Sequence, residues 1–261
     1  MSQRPALCVD PAEIPVSGFA MKALSILVTK QRNSNAAARV LEPLVVELYK
    51  AVSDLDPARA PAVIDRILDA GIPAEEIADL YIPAVARRLG DAWCADQMDF
   101  AKVSIGSARL QGLLRHLGPN WCAGDTPPRA HAPTCLLIVP QEAQHTLGAT
   151  IVAGQMRRQG VVVTLEIGTS LQDLSYIMSQ DPVDAVFVSA SSRESLEMIR
   201  TIVKNARKFL GDVPVVVGGN VGSLDVDVAD VTGADLVTQD VAEAMAFCAL
   251  NTQPLQRVPA E

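Results

Sequence analysis

The sequence predicts an α/β protein in two parts: an N-terminal helical bundle, then a C-terminal doubly wound, flavodoxin-like (Rossmann-like) sheet of five parallel strands. Three observations predict it. Before residue 123, apolar residues recur at helical spacing. After residue 133, short aliphatic runs alternate with helical stretches, the pattern of repeated strand–helix units. Between them, Ala123-Gly124-Asp125-Thr126-Pro127-Pro128-Arg129-Ala130-His131-Ala132-Pro133 carries three prolines and little to bury, so 123–133 reads as a linker.

Residues 1–35 show little regular pattern, and the bundle is assigned to 36–122. Val40 to Val52 puts Leu41, Leu44, Val45, Leu48 and Val52 on one helical face. Pro61 to Ala70 brings Val63, Ile64, Ile67 and Leu68 together; Pro61 suits a first turn and Gly71 a stop. A third helix is predicted from Pro73 to Leu89, ended by Gly90, and a fourth from Ala101 to Leu117, ended by Gly118-Pro119. Four helices with short connections form a bundle, here a cap on the second domain.

The α/β domain is assigned to 134–261. Cys135–Val139 is a continuous apolar run, as in a strand buried on both faces. A helix from about Leu147 to Gln159 leads to a second strand, Val161–Leu165. Further helices at Leu171–Ser179 and Glu194–Phe209 separate strands at Ala185–Val188 and Val213–Val217. Leu236-Val237 makes a short fifth strand, and Val241–Leu250 a last helix. On such a sheet ligands bind in the loops beyond the carboxyl ends of the strands. Those loops are Pro140–Thr146, Glu166–Ser170, Ser189–Arg193 and Gly218–Ser223.

Composition narrows the function. A net charge of −8 gives little phosphate neutralisation, which disfavours nucleic-acid binding by bulk charge. Five scattered cysteines without a CxxC pair argue against a disulfide framework or structural zinc and fit a reducing cytoplasm. No apolar run is long enough to span a bilayer, so no membrane association is expected. The first loop, Pro140-Gln141-Glu142-Ala143-Gln144-His145-Thr146-Leu147-Gly148, holds neither GxGxxG nor GxxxxGK[ST]. The third strand ends in Val188-Ser189, without the aspartate that a phosphorylated receiver needs. One histidine remains in the ligand-binding loops; neutral imidazole is the commonest side-chain metal ligand, although a lone loop histidine is also a common solvated residue.

The C-terminal domain resembles the cobalamin-binding module of methionine synthase, the B12-dependent mutases and the B12 photoreceptors. Their D-x-H-x-x-G motif falls on His145 and Gly148, with Thr146 between. Gly168 matches a glycine after the second strand, Ser189 and Ser191 the S-x-T turn, Gly218-Gly219 the paired glycine, and Gly233 begins Gly233-Ala234-Asp235. The match runs in order over about 133–250. It implies that His145 is the lower axial ligand to cobalt, and that small residues at a slot admit the displaced nucleotide tail. One departure is Ala143, where the family has an aspartate that supports the histidine; its loss points from catalysis toward sensing. In the helical half, Trp93 matches a tryptophan that covers the corrin in the carotenoid-gene photoreceptors, while Val103 and Ser104 replace their Glu-His pair. The resemblance therefore implies hydroxocobalamin or methylcobalamin over adenosylcobalamin.

The combination resembles very closely the AerR/PpaA regulators of purple photosynthetic bacteria. That family implies a cytoplasmic, light- and redox-responsive antirepressor with no enzymatic turnover, whose partner is a DNA-binding repressor of the CrtJ/PpsR type. Three rivals stand beside it: a corrinoid carrier subunit of a methyltransferase, a haem-binding redox sensor with His145 on iron, and a pure protein-interaction module on an empty B12 fold, against which the retained His145, Ser189, Ser191, Gly218 and Gly219 argue.

Overall fold

The computed structural model describes residues 40–123, 131–141, 143, 146–191 and 195–250. The bundle opens with α1 (Glu42–Ser53), whose buried face is Leu44, Val45, Leu48, Ala51 and Val52, and α2 (Arg59–Asp69), which buries Val63, Ile64 and Ile67. Gly71 ends this segment at φ +87, in the left-handed region open to glycine. The third helix, α3, begins as one turn (Ala74–Glu76), widens to a π turn (Ile77–Tyr81) and continues α-helical (Ile82–Cys94). The π turn lies just before Pro83, where a regular helix would drive the pyrrolidine ring into the carbonyl four residues back, that of Asp79. Contrary to the expectation from the sequence, Gly90 does not stop this helix; Leu89 and Ala92 are buried on either side of it, and that packing outweighs the roughly 1 kcal/mol that a helical glycine costs. Helix α4 (Phe100–His116) starts at Asp99, whose side chain accepts from the Lys102 amide.

A short 3₁₀ turn (Pro119–Trp121) leads toward the second domain. Of the predicted linker, residues 124–130 lie outside the described residues. The domain then runs β1 (Thr134–Pro140), α5 (Leu147–Arg158), β2 (Val162–Thr169), α6 (Leu171–Gln180), β3 (Ala185–Ser189), α7 (Leu196–Leu210), β4 (Val215–Gly218), α8 (Val228–Thr232), β5 (Leu236–Thr238) and α9 (Val241–Phe247). The sheet is entirely parallel, in the order β2-β1-β3-β4-β5. The predicted class, a helical part followed by a five-stranded parallel α/β sheet, is the class observed. Helices α6, α7 and α8 pack over one face, and α5 and α9 over the other. Successive connections therefore change faces between β1 and β3, and the loops leaving those two strands part there.

Strand β2 and helix α9 end elsewhere than the pattern reading has them, and helix α8 is absent from it. Strand β2 continues to Thr169, because its edge position leaves side chains such as Thr164 and Ile167 half out of the core without losing the ladder to β1. Helix α8 is too short to carry a period. Helix α9 ends at Phe247, and Ala249 then turns at φ +53. Among the described residues, no helix is long and apolar enough to cross a membrane.

The bundle core does not close on itself. It takes in Ile151 of α5 and Trp121 from the connection, with Leu147 packed against it, so the two parts share buried surface.

Candidate functional site

The carboxyl edge of the sheet gathers most of the residues singled out from the sequence. Ser189 ends β3 opposite Gly218, the last residue of β4. The Ala190 amide donates to the Gly218 carbonyl (2.8 Å), and the Val221 amide to the Ala190 carbonyl (3.3 Å). Gly219 sits at φ +97, where a Cβ would stand 2.3 Å from the Ala190 oxygen. These backbone contacts bring the loops after β3 and β4 together and place Ser189, half-buried Ser191, Gly218 and Gly219 side by side. Gly219 is thus demanded by the protein's own backbone. Gly218 is looser: a Cβ there would be 3.4 Å from the Thr238 carbonyl.

On the other side of β1, Gly168 is the extra residue of a β-bulge. Val139 pairs with Ile167 and Pro140 with Thr169, which leaves Gly168 unpaired at φ +68. The bulge turns the end of β2 outward, and Ile167 is 46 % exposed. Gly148 lies in the first turn of α5, exposed, with open space around it. Thr146 precedes that helix and accepts a 2.6 Å hydrogen bond from Nε2 of Gln111 on α4. His145, with Glu142 and Gln144, lies outside the described residues. Gly233 is not brought to this edge. It caps α8 at φ +78 before β5, and Asp235, two residues on, donates its amide to the carbonyl of Val215 at the start of β4. Gly233 therefore belongs to the amino edge, and its role is that of a helix C-cap.

The bundle closes over this region through a built joint. The Trp121 indole is buried and donates to the Leu114 carbonyl (2.9 Å). Its six-membered ring lies in a hollow on α5 that Gly154 leaves: a Cβ on Gly154 would come within 2.2 Å of Cζ3. Arg158 of the same helix donates to the Trp121 carbonyl (2.5 Å) and pairs with Asp79 of the π turn. Burial pushes the Asp79 carboxyl above its ordinary range, although the Arg158 guanidinium opposes the shift. Trp121 stands two residues before the stretch that reads as a linker, but nothing in the pattern marks Gly154, Arg158 or Gln111, whose partners are distant in the chain.

Beside the joint opens a cleft of about 510 Å³. Leu114, Trp121 and Ile167 are its apolar walls, and Gln111, Arg115, Thr146 and Thr150 supply an amide, a guanidinium and two hydroxyls. From Gln111, α4 runs back to Phe100 over eleven residues, about 16 Å. At that far end Trp93 stands half-buried beside Phe100, ring centroids 6.3 Å apart and tilted by 57°. The α4 face between the aromatic pair and Gln111 carries the small residues Ser104, Ser107 and Ala108. Trp93 and the sheet-edge residues thus lie at opposite ends of one helical face.

The residues present fit a corrinoid. A flat ring edged with amides suits a cleft with apolar walls and a rim of amide and hydroxyl groups. A slender tail suits the sheet edge at Gly218, Ser189 and Ser191, where side chains are small.

This arrangement defines a cobalamin-binding α/β domain with a helical cap, and residues 133–247 match the B12 binding domain family. The chain is 39 % identical over 181 residues to an uncharacterized 20.5 kDa protein of the bchF-crtJ intergenic region of Rhodobacter capsulatus, covering 69 % of this chain and 94 % of that protein. The chain belongs to the family of that protein. Its fold is also similar to that of the monomethylamine corrinoid protein of Methanosarcina barkeri, with a TM-score of 0.65 at 17 % identity over 80 % of this chain and 98 % of that one.

Proposed function

We propose that the protein is a cobalamin-binding regulator that reports the state of its cofactor to a DNA-binding repressor of the CrtJ/PpsR type, as an antirepressor of the AerR/PpaA kind, with no turnover. The observation that carries the reading is a B12 binding domain whose ligand edge adjoins a cleft closed by a helical cap. Support for the regulatory part comes from the Rhodobacter capsulatus relative, which is named for its place between bchF and crtJ.

Bound cobalamin would supply an exchangeable ligand on cobalt and a light-labile cobalt–carbon bond. Everything else falls to the chain. His145 would offer an imidazole nitrogen to cobalt. Ser189, Ser191 and Gly218 would leave room for the nucleotide tail, and Leu114, Trp121 and Ile167 would keep water from the ring's edge. Trp93 and the small residues of α4 would favour a small cobalt ligand, hydroxo or methyl, over adenosyl. The ligand shifts the protein only by binding one arrangement of bundle and sheet better than another.

The test mixes the purified chain with hydroxocobalamin, and separately with haem, over a sizing column, with His145→Ala beside it. Cobalamin co-eluting with the wild type and markedly less with His145→Ala is the expected result. Its addition should also change how much repressor–operator complex survives in a gel-shift assay. Cobalamin retained equally by both proteins removes His145 as ligand, and haem retained alone makes the protein a haem redox sensor. The likeness to the monomethylamine corrinoid protein favours a second reading, a corrinoid carrier; methyl transfer between the bound cobalamin and a partner enzyme would establish it.

A further inference from the structure

We propose that Gln111 is a positioning residue that ties the seating of the bundle to the loop bearing His145. The inference rests on the reading of His145 as axial ligand. Gln111 stands on α4, in the bundle, and its Nε2 donates to Oγ1 of Thr146, the residue after His145 (2.6 Å). A threonine just before a helix ordinarily turns its hydroxyl onto the first free amides of that helix. Thr146 makes no such cap; its backbone is already helical, at φ −92 and ψ −14, and its hydroxyl faces the bundle instead. Its carbonyl accepts from both the amide and the hydroxyl of Thr150, each at 3.0 Å. Thr146 is therefore held at one end by α5 and at the other by α4.

The rest of the described loop has no comparable anchor. Toward the described residues, Ala143 bonds through its amide to the Pro140 carbonyl (2.9 Å), and its methyl packs into the core. Among the described residues of this loop, Thr146 alone is fixed by a side-chain bond to the other domain, and the bond spans a wall of the cleft. With Thr146 held while the bundle is seated, ligation through the residue beside it costs less entropy, and by linkage ligation must favour the seated bundle by the same factor.

The experiment uses the full chain with hydroxocobalamin. It compares the wild type, Gln111→Leu, Thr146→Val, their double variant and Gln111→Glu. The readouts are total corrinoid retained and the pH midpoint of the visible-spectrum change that marks imidazole ligation. One neutral hydrogen bond corresponds to a roughly three- to tenfold weakening of ligation. Protons compete with cobalt for imidazole, so weaker ligation moves the midpoint upward, by about half to one pH unit. Thr146→Val, which removes a single hydroxyl and should fold if Gln111→Leu does not, is expected to shift as far. The double variant should shift no further than either single, and Gln111→Glu should recover part of the effect by accepting from the Thr146 hydroxyl. An unchanged midpoint in Gln111→Leu and Thr146→Val, or additive shifts, overturns the proposal. Should His145→Ala match the wild type, the ligand reading has failed, and amide exchange in the protein alone decides: first-turn amides of α5 that lose protection in Gln111→Leu support the tie, and unchanged protection overturns it.

Discussion

Gly219 shows how far a single position can be dictated by its surroundings. Its φ of +97 excludes ordinary side chains, and the Ala190 oxygen fills the space a Cβ would need. Gly219→Ala should therefore cost about 2–4 kcal/mol, combining backbone strain with a forced shift of the neighbouring strand end. Urea denaturation checks this, with Gly218→Ala as the contrast. A Cβ at Gly218 meets an ordinary contact at normal φ, so its cost should stay within about 1 kcal/mol, while any narrowing of the sheet edge appears as lost cobalamin retention. Equal costs at the two positions would show that the backbone approach at Ala190 is not what selects glycine. Paired glycines in a sequence look alike; only the crossing of two loops that are distant in the chain separates their roles.

At the level of elements, β1, β3 and β4 were legible because each is a compact aliphatic run, buried where neighbours cover it on both faces. Helix α3 was legible only in part. The periodicity announces a helix, but Gly90 reads as its end, and the π turn at Ile77–Tyr81 has no period of its own. Both depend on what the helix packs against. The joint is the largest thing the sequence concealed. Trp121 is visible as an aromatic residue near a linker, yet Gly154 looks like any helical glycine until the indole is laid over it. Gly154→Val should displace that ring and cost about 1–3 kcal/mol in thermal unfolding. Arg158→Ala should act in the same direction, leaving the Asp79 carboxylate without its guanidinium and the Trp121 carbonyl without a donor. Wild-type stability in both variants would mean that bundle and sheet are held together elsewhere.

For the whole molecule, a core that includes Ile151 and Trp121 means that bundle and α/β domain should not melt independently. Calorimetry of the free protein is expected to show one transition. If hydroxocobalamin binds only the seated arrangement, a free concentration a hundred times its Kd should raise stability by about 2.7 kcal/mol without splitting that transition. Two separate transitions, with only the second moved by ligand, would confine binding to the sheet and take the bundle out of recognition. Of the candidate site, the sequence marked the small residues Ser189, Ser191, Gly218 and Gly219, which the loops after β3 and β4 bring side by side. Its upper boundary went unmarked, since Gln111, Arg115 and Ile167 enter only through the way the bundle is seated.

The strand order has a consequence for how such a site can diverge. The crevice between β1 and β3 is opened by the winding, because the chain leaves those neighbours toward opposite faces. No side chain has to be retained for the opening to exist. The lining of the crevice can therefore vary residue by residue while the strand order keeps it open, and a few side chains at the rim decide what it admits.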